Sequence, residues 1–389
     1  MSTMLPTRQA TETTLADVLP SCVRSLEGGD DVLGLPAADR IVVVLVDGLG
    51  SAALRARAGH ARAMASGLSK RTTIVSGFPT TTAAALASLT TGARPGQHGI
   101  VGYTALVPGA GAGEGAEADA VLNQLSGWSD AMPPATWQRL PTIFEQLGAS
   151  GIPSSTIGPA KYADSGLTHA ILRGADYVAA GSIAERFAAA RELFDRGGRR
   201  LVYLYVPELD QLAHARGWES DRWLATLEAL DAEYSRFVSR LGRREGLLLT
   251  ADHGIVDVPA TGHVLFGEVP ELVQGVRHVA GDPRCVQLHL AADATPEERT
   301  RLAEAWRARE GTRAWIATRE EAIEAGWFGE VDPEVLPRIG DVIVAARKLV
   351  AYYDGRDGDV TGRSMIGQHG SLTSEETLVP LLRAGAFAL

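Results

Sequence analysis

Three strand-sized apolar runs, each followed closely by acidic side chains, constrain this chain more than any other feature. Ile41–Val46 "IVVVLV" runs into Asp47-Gly48, Leu201–Val206 "LVYLYV" into Pro207-Glu208, and Leu247–Ala251 "LLLTA" into Asp252-His253-Gly254. Runs this apolar read as strands buried on both faces, and helical stretches such as Asp221–Leu241 alternate with them. The pattern predicts an α/β fold with a mainly parallel central sheet flanked by helices. Ligands in such sheets gather at the carboxyl ends of the strands, which is where these acidic residues lie.

The chain has 389 residues, 45% of them hydrophobic, enough for one large core carrying an insertion. The expected organisation is an N-terminal segment (1–30), an α/β core (31–263 and 346–389) and a small inserted α+β cap lobe (264–345). Within the lobe, "RCVQLHLA" reads as a strand, Pro296–Arg309 and Arg319–Ala325 as helices, and "GDVIVAA" as the return to the core. Pro108–Glu117 "PGAGAGEGAE" reads as a mobile loop. The longest apolar runs are strand-sized, well short of the roughly 18–20 residues a membrane span needs. The N-terminus contains acidic residues and no apolar h-region, so no signal peptide and no membrane association are expected. Cys22 and Cys285 form no CxxC pattern, which fits a reducing cytoplasm. A net charge of −10 argues against nucleic-acid-polymer binding, and the basic "DRGGRR" and "RLGRRE" read as solvated helix ends.

The residues suited to chemistry form a set. Asp47 follows a strand; Asp210 and His214 in "PELDQLAH" stand four apart, one helical turn; Asp252 and His253 are adjacent; His369 sits in "GQHGS". Taken singly, a strand-end Asp is an ordinary turn residue and a D-x3-H an ordinary surface pair. Together with the Thr82 hydroxyl they supply three carboxylates, three imidazoles and a hydroxyl, a set that suits two divalent cations, Zn²⁺ or Mn²⁺. Two such ions, with four positive charges against three from the aspartates, leave a pocket that attracts phosphate. Thr82 precedes the helical "AAALASLTTG", so its hydroxyl falls at a helix N-terminus, where free N–H groups favour an anion. Thr80 and Thr81 read as turn and capping residues, His98 as a shaper of the loop beyond that helix, and His263 as structural.

The pieces "VDGLG", "FPTTTAAALASLTTGARPGQHGI", "PELDQLAH", "ADHG" and "GQHGS", in this order, resemble the alkaline phosphatase superfamily, in particular its nucleotide pyrophosphatase/phosphodiesterase-like branch. The resemblance implies an alkaline-phosphatase-like core and a two-metal phosphodiesterase. The family nucleophile lies nine residues before the second Thr of the Thr-Thr-Gly, and counting back from Thr91 gives Thr82. The same matching implies one metal held by Asp210, His214 and His369, and another by Asp47, Asp252, His253 and Thr82. The chain is also similar to actinobacterial members that cleave cyclic di-AMP, which makes a nucleotide phosphodiester the expected substrate. One departure stands out: where relatives place Pro-Asn to hold a phosphate oxygen, this chain has Ala84-Ala85, with helix-start N–H groups or Asn123 as candidate substitutes. A phosphomonoesterase, a phosphonoacetate-hydrolase-like enzyme, or a non-catalytic nucleotide-binding protein on the same frame are the alternatives. A sulfatase is disfavoured by the absence of Cys-x-Pro-x-Arg, and a phosphoglycerate mutase by Thr in place of the usual Ser.

Overall fold

The apolar run at 41–46 becomes the middle strand of a seven-stranded sheet in the computed structural model, which describes residues 4–9, 11–111, 119–356 and 361–389. Most of the Gly/Ala-rich loop expected at Pro108–Glu117 lies outside the described residues. The sheet order is Thr73–Val75, Leu378–Gly385, Glu245–Thr250, Arg40–Val46, Arg200–Val206, Ser154–Gly158, Asp176–Ala179. From Glu245–Thr250 onward every pairing is parallel, and the two on the other side are antiparallel. Ile41 through Val46 are fully buried, as a parallel strand covered on both faces requires. Asp221–Val238 shows how a flanking helix is specified. It buries Trp223, Leu227, Leu230, Tyr234 and Phe237, one stripe at helical spacing, and the Ser220 hydroxyl caps its start by accepting from Trp223 N–H.

A second, antiparallel sheet has the order Ala314–Thr318, Val342–Ala346, Cys285–Leu290, Val276–Asp282, Thr104–Val107, Ala120–Asn123. Helix Pro296–Glu310 covers it through Trp306, which is buried and donates Nε1–H to the Leu272 carbonyl (3.0 Å). The segment "GDVIVAA", expected to return to the core, pairs in this second sheet and not in the central one, although Ile343 and Ala345 pack into the main core. Val342–Ala346 pairs with Cys285–Leu288 on one side and Ala314–Thr318 on the other. All five residues are buried, so the run has the same apolar signature as a core strand, and apolarity does not encode which sheet receives it. The sheet also recruits 104–107 and 120–123 from far upstream. Cys22 and Cys285 are buried and unpaired, and no helix among the described residues is long and apolar enough to cross a membrane.

Candidate metal centre

Strand order assembles the site. Glu245–Thr250, Arg40–Val46 and Arg200–Val206 are neighbours, with Val46 beside Val206 and Leu45 beside Thr250. Their carboxyl ends bring Asp47, Asp252-His253 and the helix Glu208–Arg216 to one edge of the sheet, although Gly48 and Asp252 stand 204 residues apart. The glycines of "VDGLG" and "ADHG" permit that approach. Gly48 has φ +72° and a Cβ there would lie 3.1 Å from Asp210 Cβ, while a Cβ on Gly254 would overlap the Glu375 carbonyl.

On the helix, His214 Nε2 lies 3.2 Å from Asp210 Oδ2, as the four-residue spacing predicts. His369 follows the two-residue strand Gly367–Gln368, which pairs with Val256–Asp257. Its Nε2 lies 3.3 Å from His214 Nε2 and 3.8 Å from Asp210 Oδ1, and its ring stacks on His253 with centroids 3.6 Å apart. Thr82 is the first residue of helix Thr82–Thr91, with Oγ1 3.2 Å from His253 Nε2. Two groups of ligand atoms lie within 4.8 Å of one another: Asp210, His214, His369, and Asp47, Asp210, His253. Asp210 thus reaches both groups, and Asp252 Oδ2 stands 3.4 Å from His253 Nε2.

Hydrogen bonds divide every candidate ligand but Asp210 in two. Asp47 Oδ2 accepts from the Tyr205 hydroxyl while its Oδ1 is buried without a partner. Asp252 Oδ1 accepts from Gly48 N (3.1 Å) and His253 N (3.0 Å), and its Oδ2 has none; Asp210 Oδ1 has none either. The three histidines each direct Nδ1 at a carbonyl: His214 at Gly367 O (2.7 Å), His253 at Gly254 O (3.2 Å), His369 at Thr80 O (2.8 Å). A carbonyl only accepts, so Nδ1 carries a proton and Nε2 is the ring atom left to face the carboxylates. The buried oxygens Asp47 Oδ1, Asp210 Oδ1 and Asp252 Oδ2, gathered without partners, are costly unless a cation sits among them. The donor set therefore fits divalent metal. Burial, then Asp252 and Asp210, hold the Asp47 carboxyl well above its ordinary range, whereas against burial the pairing of Asp210 with His214 lowers the carboxyl and raises the imidazole. Burial, then His253 and His214, hold the His369 imidazolium form far below its own.

A cavity of about 360 Å³ opens from this centre, with Asp47, Thr82, Asp210, His214 and His369 at its floor and Tyr103, Tyr162, Tyr177, Tyr203 and Tyr205 on its walls. Several expectations change here. Thr81 occupies the N-cap position but its hydroxyl makes no cap bond and is buried without a partner. Thr80 does more than turn the chain: its hydroxyl donates to Ser371 O (2.8 Å) and accepts from Gly370 N (3.0 Å), pinning the loop that carries His369. Asn123 is not brought to the cavity. Its carboxamide oxygen accepts from Leu125 N (2.7 Å) and Ser126 N (3.1 Å), a local turn, and Leu125 lines the wall instead. His98 is buried between Ser88 Oγ (3.0 Å) and Ile100 N (3.1 Å), away from the ligands, and His263 packs edge-on against Tyr353.

Two residues of the site go unread in the sequence, Tyr205 and Asp282, and Thr80 reads there only as a turn residue. The alternation of Tyr203 and Tyr205 at a strand end is the one signal for Tyr205, since i and i+2 share a face. Asp282 lines the cavity with Oδ2 unpartnered, and burial pushes its carboxyl up to about 8.

Residues 41–372 match the model of the family described as type I phosphodiesterase / nucleotide pyrophosphatase. Among curated proteins, the phosphopentomutase of Anaeromyxobacter dehalogenans (strain 2CP-C) is 32% identical over 155 residues, 39% of this chain. The phosphopentomutase of Anaeromyxobacter sp. (strain K) is 33% identical over 153 residues, also 39% of this chain. The matched stretch spans 36% of the length of these curated relatives. Among solved structures, phosphonoacetate hydrolase from Sinorhizobium meliloti 1021, in complex with phosphonoformate, superposes with TM-score 0.67 at 19% identity, covering 91% of this chain and 92% of its own. Murine ectonucleotide pyrophosphatase / phosphodiesterase 5, in an inactive threonine-to-alanine form with AMP, gives TM-score 0.64 at 15% identity, covering 90% and 88%. These structures share the α/β alkaline-phosphatase-like fold with this chain.

Proposed function

Because the chain belongs to the type I phosphodiesterase / nucleotide pyrophosphatase family of the alkaline phosphatase superfamily, we propose that it is a two-metal hydrolase of nucleotide phosphodiesters with Thr82 as nucleophile. The observation that carries this reading is the division of the ligands: Asp47, Asp252, His214, His253 and His369 each tie one heteroatom to the protein and turn the other toward the same centre. We assign Asp210, His214 and His369 to one metal, and Asp47, Asp252, His253 and Thr82 to the other, with Zn²⁺ or Mn²⁺ as the ions. Bound there, the ions supply Lewis-acid stabilisation of charge on the phosphoryl and leaving oxygens.

The chain's own groups do the rest. Thr82 Oγ1 stands at the start of a ten-residue helix, so the N–H groups of Thr82, Ala83 and Ala84 lack intrahelical partners and face an incoming phosphate. They are our candidates for the role that Asn plays in relatives, since Ala85 has no donor. In the first displacement the Oγ1–P bond forms as the bond from phosphorus to the leaving oxygen breaks. The proton lost by the hydroxyl is balanced by the one the leaving oxygen takes up. In the second, water displaces Thr82 and returns a proton to Oγ1. The tyrosine walls offer flat faces for a nucleobase, and our specific substrate is cyclic di-AMP. The lobe expected at 264–345 contributes Asp282 and Pro283 to the cavity wall, which supports its role as a cap that selects substrate. Buried, unpaired Cys22 and Cys285 suit a reducing compartment, and we place the enzyme in the cytoplasm.

The test is a panel of cyclic and linear dinucleotides, nucleotide sugars, monoesters and phosphonates assayed with Zn²⁺ and with Mn²⁺. Phosphonates are included because the fold is shared with a phosphonoacetate hydrolase. Diester hydrolysis should be the strongest activity, and Thr82→Ala should abolish it with metal content nearly intact, since Asp47, Asp252 and His253 remain. Binding of nucleotides without turnover of any substrate would favour a non-catalytic binding protein.

A further inference from the structure

We infer that Tyr205 is a positioning residue for the metal centre, holding the Asp47 carboxylate by its phenol so that only Oδ1 faces the ion. This rests on the two-metal reading above. A carboxylate on a strand end has two equivalent oxygens and a soft terminal torsion, so a single ligand oxygen must be selected by a donor on the other. For Asp252 that donor is main chain, the N–H groups of Gly48 and His253. For Asp47 it is the Tyr205 hydroxyl, which donates to Oδ2 and leaves Oδ1 buried without a partner, 3.5 Å from His253 Nε2.

The phenol is itself held in place. Tyr205 lies on the strand Arg200–Val206, whose parallel pairing with Arg40–Val46 sets Val206 beside Val46, one residue before Asp47. The Tyr203 ring stacks near-parallel to it at 6.5 Å and 13°, and the Tyr162 ring meets it edge-on at 6.0 Å. Tyr162 is anchored in turn by Gln211 Nε2, which donates to its hydroxyl at 2.9 Å. One ring therefore serves as cavity wall and as the clamp on Asp47. The two roles separate cleanly in Tyr205→Phe, which keeps the ring and removes the donor.

The experiment titrates chelator-stripped protein with Zn²⁺ and with Mn²⁺ by isothermal calorimetry, comparing wild type, Tyr205→Phe and Asp47→Ala. Asp47→Ala identifies the binding step that depends on Asp47. Tyr205→Phe should weaken that same step about 10–100-fold and leave the other within about twofold. Equal affinities in both steps, or equal weakening of both, overturn the positioning role while leaving the two-metal centre standing. A wild-type protein that takes up no divalent metal overturns the centre itself and the inference with it.

Discussion

Arg284 offers the sharpest test of how the site is held. It sits at the turn between Val276–Asp282 and Cys285–Leu290 of the second sheet, fully buried, and reaches Glu376 beyond the loop carrying His369. The contact is bidentate, Nε to Oε1 at 2.8 Å and Nη2 to Oε2 at 2.7 Å, while Nη1 donates to the Lys348 and Val350 carbonyls, each at 2.9 Å. Glu376 also accepts from Ser371 N at 3.0 Å and Thr373 Oγ1 at 2.5 Å. Arg284→Met leaves a buried carboxylate with two neutral donors and no counter-charge. Breaking one side of a buried pair costs about 3–5 kcal/mol, and that is the expected loss of stability. If the uncompensated charge is the cause, adding Glu376→Gln should recover about 2 kcal/mol, because the amide oxygen still accepts from Ser371 N without carrying charge. Urea denaturation of chelator-treated protein measures both variants. A loss below about 1 kcal/mol for Arg284→Met, or no recovery in the double variant, refutes the reasoning.

Thr80→Val removes the two side-chain hydrogen bonds from Thr80 to the His369 loop; it should cost about 1–3 kcal/mol in urea unfolding and weaken metal binding at the Asp210, His214, His369 group. Burial, with Arg338 beside it, lowers the His98 pKa to about 3, well below the roughly 6.5 of an unfolded chain. The unfolded state then binds the proton first, so this stability is full above about pH 6.5 and falls by about 1.4 kcal/mol per unit as pH drops toward 3. His98→Asn should flatten the slope by that amount in chelator-treated protein, and an unchanged slope contradicts the assignment. Saturating Zn²⁺ or Mn²⁺ at about 100 times Kd should raise unfolding free energy by about 2.7 kcal/mol, reversibly with chelator. No shift with any divalent ion would count against the centre.

The candidate ligands were legible because their signals are local. A strand-end Asp, the Asp210–His214 spacing and the Asp252-His253-Gly254 triplet each lie within a few residues, and apolar runs of strand length announce the sheet. The helices at 221–238 and 296–310 were readable for the same reason, since their buried stripes repeat at helical period. Val342–Ala346 was not: its five buried residues read alike in either sheet, and only pairing partners elsewhere in the chain fix its place. Asn123 misled because an Asn at a strand end is as well suited to a turn as to a ligand, and here the neighbouring N–H groups claim it.

Sequence by itself determined the fold class and the set of side chains proposed for the chemistry, because side-chain type and short-range spacing are properties of the chain. Tertiary structure alone decided which of their atoms face one another. The order of three neighbouring strands places Asp47, Asp252 and the Asp210 helix at one edge. Contacts across more than 150 residues choose the free oxygen of Asp47 through Tyr205 and turn His369 Nε2 inward through Thr80. The physical reason is that a buried heteroatom is defined by what it is not bonded to, and that depends on every segment packed around it.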